Sequence, residues 1–251
     1  MRSPRTLARA AGSLYLIMFI CSLVAGQVRA RIVDPGDAAA TAGHIRASAT
    51  LFRVGFVSDL VQVTTMLLVA MALYLLLKHI HQLAAAAMVT FVAVAVAIGC
   101  LNLLNQYTAL AIATGQDYTR AFGRPGSDAL TLLFTGMLDN GYYISAMFWG
   151  LWLLPLGYLV IKSGYVPKLL GVLLIIGGTG YLADLFTRFL VVGTAPAIAL
   201  LVVPGLVAEF LFMAWLLVKS VKASAAPDAH VPALAAPPAP NPWSRLTAKE
   251  Q

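Results

Sequence analysis

Charged side chains are scarce in this chain: Asp, Glu, Lys and Arg make up only 11% of its 251 residues. A water-soluble domain of that length could not cover its surface with so few. Cysteine is nearly absent. Cys21 and Cys100 lie in apolar stretches without a CxxC partner, and read as small buried hydrophobes rather than as a disulfide. Also missing are GxxxxGK[ST], HExxH and GxSxG, which removes the strongest signatures of phosphate-binding, zinc-protease and serine-hydrolase chemistry. His79 and His81 stand two apart, so on a helix they point in different directions. With Lys78 they read as an ordinary connection, not a metal or haem site. No cofactor, metal centre or catalytic residue is expected, and the chain is not expected to be an enzyme.

What is present is apolar length. Hydrophobic residues make up 60% of the chain, with a mean hydropathy of +0.85. They gather in six runs, at about Leu7–Val28, Val54–Leu77, Leu83–Thr114, Tyr142–Ile161, Leu169–Val192 and Ala195–Val218. Each is long enough to cross a hydrocarbon core about 30 Å thick at about 1.5 Å per helical residue. They are apolar all round and do not alternate as barrel strands do. The expected fold is all-α, a polytopic membrane bundle of about six transmembrane helices over residues 1–222. Residues 223–251 form an Ala/Pro-rich tail that is expected to be disordered and cytoplasmic. The first run, longer than a signal-peptide core of about 7–15 residues, is read as a retained span.

A net charge of +7 would suit a nucleic-acid binder, but its distribution points elsewhere. If the spans alternate, Arg2, Arg5, Arg9, Lys78, Lys162, Lys168, Lys219, Lys222, Arg245 and Lys249 share one side. The other side holds Arg29, Arg31, Arg46, Arg53, Arg120, Arg124 and Arg188, diluted by four aspartates. The positive-inside rule then places both termini in the cytoplasm. The expected partner is the bilayer, together with a small-molecule ligand or a membrane partner protein; no nucleic acid is expected.

The loops carry their own signals. Asp37, after Asp34-Pro35-Gly36, is a candidate N-cap for an Ala-rich helix through Phe52 in the first outer loop. Ser127 is expected to cap a second interfacial helix through Leu130, Leu133 and Met137, with Gly141 bending the chain before the fourth span. Pro155 and Pro204 predict kinks within spans. Gly164 is placed to take a positive φ after the fourth span, and Pro167 to start the fifth. Gly177, Gly178 and Gly180 suit close helix packing.

A charge at the bilayer centre costs about 2.5–3.5 kcal/mol on insertion scales, so each ionisable residue at depth needs a reason. Asp59 and Gln62 share a face of the second span, Asn102 and Asn105 a face of the third. Asp184 and Arg188 stand i, i+4 on the fifth, one turn after Tyr181, so carboxylate and guanidinium can meet. Asp139, Asn140, Tyr142 and Tyr143 gather at the entrance of the fourth. All of these fall in the outer half of the bundle. They form either a ligand site or a network that pins helices together. Glu209 differs: it sits near mid-membrane with no basic residue within a turn. It must be protonated, paired across helices or wet, and it is the candidate proton carrier.

At Leu156-Gly157-Tyr158-Leu159 and Lys162-Ser163-Gly164-Tyr165-Val166-Pro167-Lys168-Leu169-Leu170-Gly171 the chain resembles a family of bacterial multi-pass membrane proteins, domain of unknown function (DUF) 4386. Gly180-Tyr181-Leu182-Ala183-Asp184, Ala10-Ala11-Gly12-Ser13-Leu14-Tyr15-Leu16 and Pro35-Gly36-Asp37-Ala38-Ala39-Ala40-Thr41 extend the likeness. The resemblance implies a bacterial cytoplasmic-membrane protein and carries no activity or catalytic residue with it. Three classes of function stay open: a ligand-binding or transport protein, a structural or auxiliary subunit, and an intramembrane enzyme acting on a lipid-like substrate.

Overall fold

A computed structural model of the chain describes residues 4–190 and 202–218. Every element among the described residues is a helix. In order these are α1 (Pro4–Ile32), α2 (Ala38–Ala47), α3 (Ala49–Leu77), α4 (Gln82–Thr114), α5 (Gln116–Ser163), α6 (Lys168–Leu190) and α7 (Val203–Val218). Five are long and apolar enough to cross a membrane, and α7 is a shorter apolar helix of the same character. This is a multi-pass membrane bundle. The start of the expected sixth span and the tail at 223–251 lie outside the described residues.

The long helices pack in sequence as a closed ring. The helix α1 lies along α3, α3 along α4, α4 along α5, α5 along α6, α6 along α7, and α7 returns to α1. The shared core includes Tyr15, Met66, Leu73, Met88, Trp152, Leu174 and Phe212. Large apolar side chains on the outside, such as Ile20, Leu75 and Leu104, face away from it, as a lipid-bathed surface requires.

Three expectations about the loops hold. Asp37 Oδ1 accepts from the Ala40 amide at 2.8 Å and caps α2. Gly164 takes φ +65° and ends α5. The Pro167 carbonyl accepts from the Leu170 amide at 3.0 Å, so the proline stands just before α6 rather than inside it. The helix expected from Asp37 to Phe52 is split instead: Ser48, at φ −127° and ψ 38°, ends α2, and α3 runs unbroken from Ala49.

The second outer loop differs more. The only non-helical backbone inside α5 is at Gly123, with φ +70°, a conformation that glycine adopts without strain. Beyond it residues 124–163 form one helix, about 60 Å long at 1.5 Å per residue and twice the hydrocarbon thickness. Ser127 therefore lies within the helix and is not its cap. The projecting half carries Asp128, whose carboxylate holds Arg46 of α2 at 2.7 Å. Pro155 leaves the helical dihedrals intact, and Pro204 falls in the first turn of α7, where its missing N–H costs no bond.

Gly141 does not bend α5. It marks a close approach: a Cβ there would overlap the amide of Asn102 on α4. With no side chain in the way, Asn102 Nδ2 reaches the Leu138 carbonyl at 2.8 Å. Gly141→Ala is expected to destabilise by about 1–3 kcal/mol, from overpacking and the lost bond. The thermal midpoint in detergent measures this. Adding Asn102→Ala removes the clash, so the double variant should recover part of the loss.

The seam between α5 and α6 follows the same rule. A Cβ at Gly157 would sit 2.6 Å from the Gly171 carbonyl oxygen, and one at Gly178 would sit 2.7 Å from that of Gly150. The two pairs lie seven residues apart on each helix, as antiparallel neighbours at close range require. One expectation fails on the outside. Cys21 is half-buried and Cys100 exposed, because a small apolar side chain in a span can face hydrocarbon as readily as protein.

Candidate functional site

The ring helices place the singled-out polar residues in four groups. At the loop-rich end, Asp59 of α3 is wholly buried and ion-paired with Arg29 near the end of α1. Tyr142 of α5 donates its hydroxyl to the other carboxylate oxygen at 2.5 Å, and Gln106 of α4 faces the same carboxylate. The Arg29 guanidinium also lies 4.8 Å from the centre of the Tyr142 ring. A cation, a phenol and an amide from three other helices thus converge on one carboxylate. Such convergence is what makes a charge tolerable at depth.

The second group is Asn102 with Asn105, whose Nδ2 donates to Asn102 Oδ1 at 3.0 Å. It joins α4 to α5 through the Leu138 carbonyl. The third is Asp184 with Arg188, 4.0 Å apart on α6. The guanidinium lies 3.8 Å from the centre of the Tyr143 ring, a cation–π contact with α5. Consecutive tyrosines therefore face opposite neighbours, Tyr142 toward Asp59 and Tyr143 toward Arg188. Asp139 borders a separate hollow of about 210 Å³ at the same end, beside Arg29 and Pro35.

The fourth group lies deeper. Glu209, near the middle of α7, accepts from the Tyr15 hydroxyl of α1 at 2.5 Å and from the Tyr181 hydroxyl of α6 at 3.5 Å. The carboxylate borders a cavity of about 140 Å³ with walls from all six ring helices. Around it stand Tyr15, Tyr181, Trp149 and Trp152, with Gln62 of α3 and Ser22 of α1 as the remaining polar groups. Among the described residues no Lys, Arg or His lines it. Of the residues expected in one cluster, the cavity takes Gln62 alone, beside Glu209, which was expected apart from that cluster. Asp59, Asn102, Asn105, Asp184 and Arg188 stand outside its walls, in the networks above. A ring contact joins the two levels, because Tyr142 packs edge-on against Trp149 at 6.1 Å.

Several of these residues carry no signal in the sequence alone. Tyr15 reads as one aromatic in an apolar run, and Arg29 as a loop charge. Their partners are 194 and 30 residues away in the chain. The signal that could have found them is negative: a mid-membrane glutamate without a local cation demands donors from another helix.

Domain of unknown function DUF4386 matches residues 10–220, a stretch that contains both the ring and every wall of the cavity. This protein belongs to the DUF4386 family. The cavity and the ion-paired end are therefore built from residues within the DUF4386 match. An uncharacterized protein of the archaeon Archaeoglobus fulgidus is 44% identical to this DUF4386 chain over 91 residues, 36% of this chain and 51% of that protein. The chain spans about half the length of this curated relative. No solved structure matches.

Proposed function

We propose that this protein binds a small molecule in the cavity around Glu209 and moves it through the bilayer in exchange for a proton. One observation carries the reading: a closed ring of helices leaves a space whose acid, Glu209, has two tyrosine donors and, among the described residues, no basic partner. A structural carboxylate is better served by a cation, as Asp59 is by Arg29. Glu209 instead keeps its charge state open to whatever enters. Gln62, on the α3 wall, orients the ligand. Asp59, Asn102, Asn105, Asp184 and Arg188 act as positioning groups that fix the ring at the loop-rich end. The distribution of lysines and arginines supports both termini in the cytoplasm and the loop-rich end outside, and the family resemblance supports a bacterial cytoplasmic membrane.

The test needs no ligand. With Cys21 and Cys100 replaced, Ser22→Cys puts a thiol in the cavity wall, and Ile20→Cys puts one on the lipid-facing surface. A membrane-impermeant thiol reagent on intact cells should modify Ser22→Cys and leave Ile20→Cys unreacted. Protection of Ser22→Cys from both sides of the membrane, in protein that still folds, would favour a sealed packing network and a structural or auxiliary subunit.

A further inference from the structure

The cavity also specifies what it accepts. Resting on the proposal that it is a binding site, we infer that its ligand is a small organic cation of the alkylammonium class. Three observations converge. First, six aromatic side chains line the walls, Tyr15, Phe19, Trp149, Trp152, Tyr181 and Phe210, with the Tyr15 and Trp152 rings tilted at 6.4 Å. Aromatic faces are electron-rich and attract cations that shed water easily, by about 0.5–2 kcal/mol each. Secondly, the one ionisable acid on the wall is a carboxylate, and its named polar neighbours Tyr15, Tyr181, Gln62 and Ser22 are uncharged. An anionic ligand would meet a negative group with no compensating Lys, Arg or His among the described residues, and a cation completes an ion pair. Thirdly, the volume of about 140 Å³ is close to the roughly 150 Å³ of a cavity that holds benzene, so the ligand has about five to eight heavy atoms.

The remainder of the wall refines the class. Met18, Met66 and Met213 are apolar and adaptable, and suit methyl or methylene groups on nitrogen better than a hydrated ammonium. A quaternary or tertiary amine fits this lining, in which Glu209 is the sole His, Cys, Asp or Glu among the described residues. The facing groups on each wall are Tyr15 from α1, Gln62 from α3, Trp149 from α5 and Tyr181 from α6, and α4 presents Ala95 and Val96. Of these only the two tyrosines titrate, and both are donors to Glu209. Proton and cation therefore compete for one carboxylate. Where Glu209 is protonated before binding, one proton leaves for each monovalent cation that binds, and charge balances.

The experiment uses the full chain in lipid nanodiscs and two branched probes of similar size, tetramethylammonium and the anion trimethylacetate, with neopentyl alcohol as the neutral control. Tryptophan fluorescence reports occupancy. Tetramethylammonium should bind saturably, release protons into weak buffer and bind at least about tenfold more weakly in Glu209→Gln and Trp149→Leu. Its affinity should fall as the solution is acidified. Trimethylacetate should not bind. Equal binding of cation and anion, or a neutral probe that binds while the cation does not, overturns the inference and leaves the cavity reading standing. No binding by any probe, together with a protected Ser22→Cys, overturns both. Should Glu209→Gln fail to fold, the comparison of probes on the wild-type chain decides alone.

Discussion

Arg29→Ala is expected to destabilise the bundle by about 3–5 kcal/mol, because it leaves the Asp59 carboxylate buried without its cation. Asp59 has no exposed surface, and the Arg29 side chain is only 21% exposed, so water cannot take over. The hydroxyl of Tyr142 remains, but one neutral donor does not replace a guanidinium. The measurement is the thermal midpoint of purified protein in detergent, with yield of folded protein as a second readout. Two controls locate the cause. Arg29→Lys should restore part of the stability, since a point charge replaces the fork. The double variant Arg29→Met with Asp59→Leu should be far less damaged than Arg29→Ala, because removing both charges removes the uncompensated one. A single-variant loss under about 1 kcal/mol would mean that the pair is effectively solvated.

The second large effect concerns α6 and α7, and here the sign of a small change is the test. Gly177 lies so close to Gly205 that a Cβ on Gly177 would overlap the Gly205 Cα. The obstacle is backbone, which cannot rotate aside, so the helices must separate. Gly177→Ala is therefore expected to cost about 1–3 kcal/mol despite the better helix propensity of alanine. At Gly136 of α5 nothing lies within 4 Å of the same added atom. There the same substitution should stabilise by about 0.5–1 kcal/mol through propensity alone. Thermal midpoints of the two variants should move in opposite directions; movement of both upward would show that α6 and α7 are not held at backbone contact. Tyr181 and Glu209 flank this seam, so Gly177→Ala should also speed thiol modification of Ser22→Cys.

Much of the fold is written in hydropathy. Apolar length and the sparseness of charge are local properties. The first, second, third and fifth spans could therefore be read with ends only a few residues from those of α1, α3, α4 and α6, whereas α5 begins well before the run at Tyr142. The Asp37 cap and the Gly164 turn were equally legible, because each depends on atoms within a few residues. What the chain hides is long-range. Gly141 has the composition of a break but serves as a clearance for Asn102, and nothing within either helix says which. The α5 rod passes through the expected loop because Ser127 and Thr131 pack against the rest of the protein instead of solvent. In the polar residues, sequence revealed depth and spacing but not partners. The Asp184 and Arg188 pair was visible because both sit on one helix. The partners of Asp59 and Glu209 come from elements far away in the chain.

The ring closes with α7 against α1, and this sets an order on biogenesis. As synthesis proceeds from the N-terminus, Arg29 waits only until Asp59 is made, 30 residues later. Tyr15 must wait for Glu209 across 194 residues, while the spans α3, α4, α5 and α6 are made in between. Until then the half-built bundle stands open along one side, with its aromatic faces turned to lipid. The last of the described helices to leave the ribosome is thus the one that both supplies the acid and seals the chamber. A chain stopped before it would anchor in the membrane with every earlier span in place and still lack an interior.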